Sequence, residues 1–225
     1  MKKTLSVILI SLLCIFLFAG CNEQIQPNVS DVNLENTENA VTDVKTVYPL
    51  PETLDINNLD DCTSAVSFED GSVYVDDSGK TVIDMTVYTY DLYDMVDIAT
   101  LAENDIIVRL GEEVKVTAVE RLDTGLVRIN GGEENGGFDL ISSNSTVYYE
   151  IGMSDIKNYY KLGEVTLPVS DEFVYTDESN LDAEPVEYFA GDFLTEGVEY
   201  NFNPNNTSIV IQDGNIVAMK KVYTP

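Results

Sequence analysis

The sequence predicts a mainly β protein, a small antiparallel barrel or sandwich with one or two short helices. Three observations carry this expectation. From residue 62 onward, apolar and polar residues alternate with a period of two. Turns rich in Gly, Asp and Asn separate the alternating runs at the pace of small barrels and sandwiches. Thirteen tyrosines, a residue favoured in strands, are many for 225 residues.

The elements follow in order. Residues 64–68 and 71–75 are short strand candidates. Asp76-Asp77-Ser78-Gly79 is a turn, because Asp offers local hydrogen bonds and Gly a positive φ. Residues 81–90 alternate Ile83, Met85 and Val87 with Asp84, Thr86 and Tyr88, which completes a hairpin. The period then changes. Asp94 is placed to cap a short helix over 94–101, in which Met95, Ile98 and Leu101 recur every third residue. Residues 106–110, 114–121 and 126–129 form a three-strand meander with turns at Gly111-Glu112-Glu113 and Asp123-Thr124-Gly125. Residues 138–141 and 146–151 continue it. A second short helix is predicted over 154–162, with Ser154 as its cap and Gly163 as its terminator. Residues 164–167 and 173–176 are weaker strand signals before an acidic loop over 177–187. The chain closes with strands over 198–202, 208–212 and 216–223, the last two joined by the turn Asp213-Gly214-Asn215. Lys220 and Lys221 suit a protected edge or an exposed end.

The chain ahead of these elements differs in kind. Lys2 and Lys3 precede an apolar run over residues 5–19, which ends in Leu17-Phe18-Ala19-Gly20-Cys21. A basic start, a short apolar core and small residues before a cleavage point make a secretory signal. The run falls short of the ~20 residues that span a bilayer, and Asn22, Glu23 and Gln24 follow it instead of a basic cluster. With its cysteine directly after Ala19-Gly20, the segment resembles a bacterial lipoprotein signal, whose apolar-small-small-Cys motif is the lipobox. The resemblance covers residues 1–21 only, and it departs at Phe18, where leucine is usual; Leu17 stands one place further back. It implies cleavage between Gly20 and Cys21 and a diacylglycerol thioether on Cys21. The protein is then bacterial, extracytoplasmic and held to the cell membrane, since two acyl chains anchor stably where one does not.

Three regions are therefore expected: a signal peptide over 1–20, the lipidated Cys21 with a polar tether over 21–61, and one β-rich domain over 62–225. A split near Gly152 is the alternative. The tether is rich in Asn, Glu, Asp, Thr and Gln, carries Pro27, Pro49 and Pro51, and lacks sustained periodicity. As coil, some forty residues span roughly 35 Å root-mean-square. Residues 44–54 have enough apolar content to pack on the domain as an outer strand.

Charge and missing residue types narrow the function. The chain carries 12 basic and 40 acidic residues, a net charge of −28. Loss of Lys2 and Lys3 with the signal leaves 10 basic residues and a net charge of −30. Nucleic acid is excluded as a partner, because phosphate backbones need a basic face. The acidic surface suits a soluble, mutually repelling exported domain, and it could also concentrate cations or a basic partner. There is no histidine and no tryptophan. Ser-His-Asp and Cys-His nucleophiles, imidazole bases and His-containing zinc sites are excluded. Of the three cysteines, Cys14 leaves with the signal and Cys21 is lipidated. Cys62 remains, so no internal disulfide forms, and nothing basic lies near it in sequence to activate it.

Few motifs carry chemistry. Ser154-Asp155-Ile156-Lys157 fits S-x-x-K, the nucleophile motif of penicillin-binding proteins and β-lactamases. Ser142-Ser143-Asn144 fits S-x-N, but the order along the chain is reversed, and Lys80-Thr81-Val82 lacks the required glycine. A helix cap explains Ser154 fully. Asn130-Gly131-Gly132-Glu133-Glu134-Asn135-Gly136-Gly137 is the most unusual loop. Paired glycines permit sharp turns and close backbone approach, and Asn130, Glu133, Glu134 and Asn135 supply oxygen ligands of the kind calcium takes. Turn formation explains the same glycines, and no metal or other cofactor is otherwise implied. Carboxylate pairs such as Asp76-Asp77 and Glu112-Glu113 fall in turns. Among the tyrosines, Tyr88 and Tyr90 share a strand face, while Tyr148-Tyr149 and Tyr159-Tyr160 adjoin. They suit sheet packing or a contact surface for protein or sugar.

The expected protein is a membrane-anchored extracytoplasmic lipoprotein whose exposed domain is a non-catalytic module binding protein or glycan. The alternative is a carboxylate-dependent hydrolase acting on cell-wall or dietary glycan.

Overall fold

A computed structural model describes residues 43–144, 146–193 and 201–224. Gly20, Cys21 and the first half of the tether lie outside the described residues, as does most of the strand expected over 198–202. The protein is mainly β and holds several sheets around two separate hydrophobic cores.

The first strands form as the alternation predicts. After β1 (Thr46–Val47), β2 (Cys62–Ser67), β3 (Val73–Val75) and β4 (Thr81–Thr89) come in turn. Ile83, Met85 and Val87 of β4 face a core and are buried. The turn before β4 is held by Asp76, whose Oδ1 accepts from the Ser78 and Lys80 N–H groups at 2.9 Å each. β5 (Leu92–Asp94) leads into helix α1 (Met95–Thr100), where Asp94 caps the first turn by accepting from Val96 N at 2.7 Å. Ile98 and Leu101 bury the helix face.

The meander is more broken than its sequence suggests. β6 (Ile106–Arg109) and β7 (Glu112–Lys115) make a hairpin, β8 (Val119–Arg121) and β9 (Val127–Ile129) another, and β10 (Phe138–Asn144) pairs with β11 (Val147–Ile151). The single strand expected over 114–121 is two strands in two sheets. Val116 is fully buried, and its N–H and C=O are taken by Asp105 and Asn104. Its backbone therefore has nothing left for a continuous ladder. The sheets are β1-β6-β7 and β5-β11-β10-β9-β8. β1 joins β6 in parallel and contributes buried Val47 to the second core.

The largest departure lies beyond Gly152. The predicted helix over 154–162 is absent. A 3₁₀ turn, Met153–Asp155, holds Ser154 and Asp155 at φ of 64° and 60°, and the chain then runs into β12 (Tyr160–Glu178). Ile156, Tyr159 and Tyr160 favour extended backbone, and the free edge of β4 supplies a partner, so pairing overrides the weak capping signal. β12 spans 19 residues, where two short strands were expected. Gly163 allows it to pass Ile56; a Cβ there would lie 2.8 Å from Ile56 Cγ1.

β13 (Val186–Phe189), a four-residue helix α2 (Ala190–Phe193), β14 (Thr207–Gln212) and β15 (Asn215–Val222) complete the chain. Asp213 and Gly214 take φ of 50° and 68° between the paired Gln212 and Asn215, a hairpin turn suited to the natural strand twist. β12 uses its first half to pair antiparallel with β4 and its second half to pair in parallel with β15. The pairings run from β2 to β4, β12, β15, β14 and back to β2. This circuit encloses the first core, in which Val66, Val87, Phe173, Tyr175, Ile209 and Met219 meet. Residues 91–158 are inserted between β4 and β12 and build the second core around Tyr93, Ile98, Ile107, Ile129, Phe138 and Leu140.

Candidate functional site

The insert leaves the circuit just after β4 and returns just before β12. Thr89 pairs with Tyr160, so the two crossings lie side by side. That juxtaposition brings Tyr90 and Asp91 of the outgoing strand to Lys157, Tyr159 and Tyr160 of the incoming one. All five line one cleft of about 890 Å³. Its other wall is the outer face of the circuit. Val66 and Val87 point into the core, so their neighbours Ala65 and Tyr88, paired across β2 and β4, point out. The segment 49–54 forms the rim, tied down where Leu50 N–H donates to Leu92 C=O at 2.6 Å.

A box of tyrosines occupies one end. Lys157 Nζ lies 4.2 Å from the Tyr90 ring centre and 5.0 Å from that of Tyr149, and it donates to the Tyr90 hydroxyl at 3.1 Å. Tyr149 and Tyr159 stand edge-on to Tyr90, with centroids 5.8 and 5.4 Å away. Burial alone would lower the Lys157 pKa. The Tyr90 hydrogen bond and the Tyr159, Tyr90 and Tyr149 phenols outweigh it and hold the ammonium above its ordinary value. Burial raises the Tyr159 phenol.

Two carboxylates, Asp91 and Glu52, also line the cleft. Burial, Asp91 and Glu52 push the Tyr160 phenol up to about 12. Asp91 is buried and accepts from Leu110 N–H at 2.8 Å. The Tyr93 hydroxyl donates to Val108 C=O at 3.0 Å and lies 3.4 Å from Asp91. Tyr93 is held well above the usual phenol range by burial first and by the Asp91 charge second.

A smaller pocket of about 230 Å³ adjoins the box, and Lys157 lines both. Arg109 forks onto Glu150 with two contacts of 2.6 Å, and Asn158 Nδ2 donates to the same carboxylate at 2.5 Å. The arginine also lies over the Phe138 ring at 5.1 Å.

The loop over 130–137 divides its residues between two roles. Asn130 braces the break between β7 and β8. Its Oδ1 accepts from Thr117 N–H at 2.7 Å, from the Thr117 hydroxyl at 2.9 Å and from Ala118 N–H at 3.3 Å, while its Nδ2 donates to Lys115 C=O. Asn135 Nδ2 donates to Gly131 C=O at 2.8 Å. Glu133, Glu134 and Asn135 form a 3₁₀ turn. Glu134 is exposed, and Glu133 lines the smaller pocket. Gly137 has no substitute, since a Cβ would stand 2.0 Å from Ile129 C=O. No three His, Cys, Asp or Glu side chains converge on a metal position among the described residues.

Two other candidates take plain places. Ser154 is exposed in its 3₁₀ turn, and the Lys157 ammonium is directed to Tyr90. Cys62 is a free thiol whose pKa is raised by burial, by Asp60 and by Asp61. The group missed by sequence reasoning is Tyr90, Tyr149, Lys157 and Tyr159. The adjoining tyrosine pairs are visible in the sequence, but nothing local says that residue 90 meets residue 157. No family model, curated protein or solved structure matches the chain.

Proposed function

We propose that the chain is a bacterial lipoprotein, held to the outer side of the cell membrane through a diacylated Cys21, whose β domain binds a ligand in the tyrosine-lined cleft and performs no chemistry on it. The cleft carries this reading. Tyrosines offer rigid, amphipathic contact area at low entropic cost, and a volume of about 890 Å³ falls within the range of small-ligand sites. The strand circuit adds a prior. Taken in chain order, its strands pair first with second, second with third, third with fifth, fifth with fourth and fourth with first. Its one parallel pair joins third and fifth. That is the Greek-key order of OB-type barrels, which host oligosaccharide and oligonucleotide binders; fold alone does not assign function. The acidic balance disfavours the second of these, leaving glycan or protein ligands.

A hydrolase reading draws on one observation: Glu52 and Asp91 both line the cleft, and glycosidases work with carboxylate pairs. One experiment separates the two. The mature chain carrying Cys21→Ser is screened for binding and for turnover over glycans, peptidoglycan fragments and peptides. Binding without turnover, weakened by Tyr90→Ala, is expected. Turnover abolished by Asp91→Asn or Glu52→Gln overturns the binding reading. For the anchor, mass spectrometry of the native N-terminus is expected to find diacylated Cys21; an unmodified chain starting elsewhere refutes it.

A further inference from the structure

Lys157 holds a charge that no ion pair neutralises among the described residues. Its ammonium has three N–H donors, and the Tyr90 hydroxyl takes one. Among the described residues it enters no ion pair, in a chain with 40 Asp and Glu. Of the carboxylates that share a pocket with it, Glu150 is held by Arg109 and Asn158, and Glu133 lines the smaller pocket without an ion pair to Lys157. Asp91 and Glu52 bear on Tyr160, whereas Lys157 bears on Tyr159. Lys157, Asp91 and Glu52 all line the cleft, with no ion pair between the lysine and either carboxylate.

Lysine is ordinarily a mobile point charge on a flexible stem. Here the rings of Tyr90 and Tyr149 fix it, because contact with aromatic faces holds a cation in place without cancelling its charge. A charge so held suits an anionic group arriving from outside. One ammonium matches one carboxylate. A phosphate brings nearly two charges into a strongly acidic chain and needs more than one cation to receive it. Tyr90 and Tyr149 lie beside Lys157, and Pro49, Leu50, Pro51 and Leu92 add apolar surface to the same cleft. They suit the body of a small molecule better than a second charge.

We propose that the cleft receives a small ligand bearing one carboxylate beside an apolar or ring-shaped body, and that Lys157 is the residue that takes the carboxylate. This rests on the binding reading above. A peptide C-terminus and an acidic sugar present the same group to Lys157, and the probes distinguish them.

The mature chain with Cys21→Ser is titrated by calorimetry with four compounds: acetyl-leucyl-alanyl-alanine, its C-terminal amide, methyl galacturonoside with its single carboxylate, and the neutral methyl ester of that sugar. At least one acid is expected to bind about tenfold or more tightly than its neutral counterpart, and the acid that does so names the source. Lys157→Met, which keeps the stem, is expected to erase that preference, and Lys157→Arg to retain most of it. Tyrosine ring signals in the NMR spectrum of the unsubstituted chain are expected to move with the preferred acid and not with its neutral form. This second readout stands even where Lys157→Met fails to fold. The proposal is overturned if neither acid outbinds its neutral form, if none of the four binds, or if the preference survives Lys157→Met. Equal binding of acid and neutral forms that Tyr90→Ala removes sinks the carboxylate assignment and leaves the cleft as the binding site. Binding untouched by Tyr90→Ala removes the cleft itself.

Discussion

In the five-strand circuit, Ala65 of β2 pairs with Ser208 of β14, and Thr86 of β4 pairs with Glu164 of β12. In the insert, Phe138 pairs with Ile129 and Leu140 with Glu150. The circuit closes on partners far along the chain; the insert is mostly zipped from neighbours. Loop-closure entropy must be met before distant pairings form, so the first region is the slower to assemble and the more dependent on its whole core. The cleft lies where they join, and this position teaches something about the site. Neither region contains it alone. Tyr90 and Tyr159 leave and re-enter the circuit, Lys157 belongs to the insert and is backed there by Tyr149, and the outward face of β2 and β4 supplies another wall.

The comparison predicts an asymmetry between core substitutions. Phe173 is fully buried inside the circuit, and Leu140 is fully buried inside the insert. Phe173→Ala is expected to cost about 3–5 kcal/mol and Leu140→Ala about 2–5 kcal/mol. The sizes overlap, so the pattern is the test. Loss of circuit packing loosens both ends of the insert and is expected to speed hydrogen exchange throughout residues 62–222. Loss of insert packing is expected to speed exchange mainly within 91–158, with β14 and β15 still protected. Equal exchange in both regions for both variants would mean that the two cores open as one unit.

The Glu150 cluster gives a smaller and more local effect. Its side chain is 8% exposed, and it receives both prongs of Arg109 together with Asn158. Glu150→Ala leaves a half-buried guanidinium without its counter-charge. Removing one member of a buried ion pair costs about 3–5 kcal/mol; since Arg109 is 31% exposed, the lower end is expected, about 3 kcal/mol by urea unfolding. Glu150→Gln keeps an acceptor and is expected to cost less. A cost below about 1 kcal/mol for the alanine variant would show that solvent already screens the pair and that the insert does not depend on it.

What the sequence conveyed follows the same division. Local rules succeeded where neighbours decide the structure. Asp94 caps α1, Asp76 folds the turn before β4, and Asp213-Gly214 closes the last hairpin. They failed where a distant segment decides. Residues 154–162 carry a serine cap and a terminal glycine, which read as a helix, yet β4 offers an edge and the segment around Tyr160 becomes strand. Val114 to Arg121 read as one strand because nothing nearby announces that Asp105 and Asn130 will claim the backbone between its halves. The candidate loop shows the same limit. Asn130 is a candidate ligand residue by sequence, and nothing local in the sequence conveys that its amide also holds Thr117 and Lys115. Lys157 entered only as the end of an S-x-x-K motif, and its tyrosine neighbours come from three separate parts of the chain.

The smallest effect expected is also the one closest to the seam. Tyr160 opens β12 beside Asp91 and Glu52, and burial with these two carboxylates raises its phenol from the ordinary value near 10 to about 12. The neutral phenol is thus favoured by the folded state. A group whose pKa is higher folded than unfolded contributes stability that is fully present below the unfolded value and is lost as pH rises through the folded one. The window is therefore roughly pH 10 to 12. Within it, phenolate absorbance should show a late titrating step in the folded protein, and stability should decline as that step proceeds. Tyr160→Phe is expected to remove part of the step and to flatten the decline, with little change at neutral pH. The effect should be modest, because Tyr160 is only partly buried and solvent screens its neighbours' charges. Tyr93, buried in the second core and raised further still, serves as the internal comparison: its ionisation should wait for global unfolding, whereas that of Tyr160 should begin while the fold is intact. If both phenols titrate together at the unfolding transition, the seam opens no earlier than the core beneath it. The cleft would then be as rigid as either region it joins.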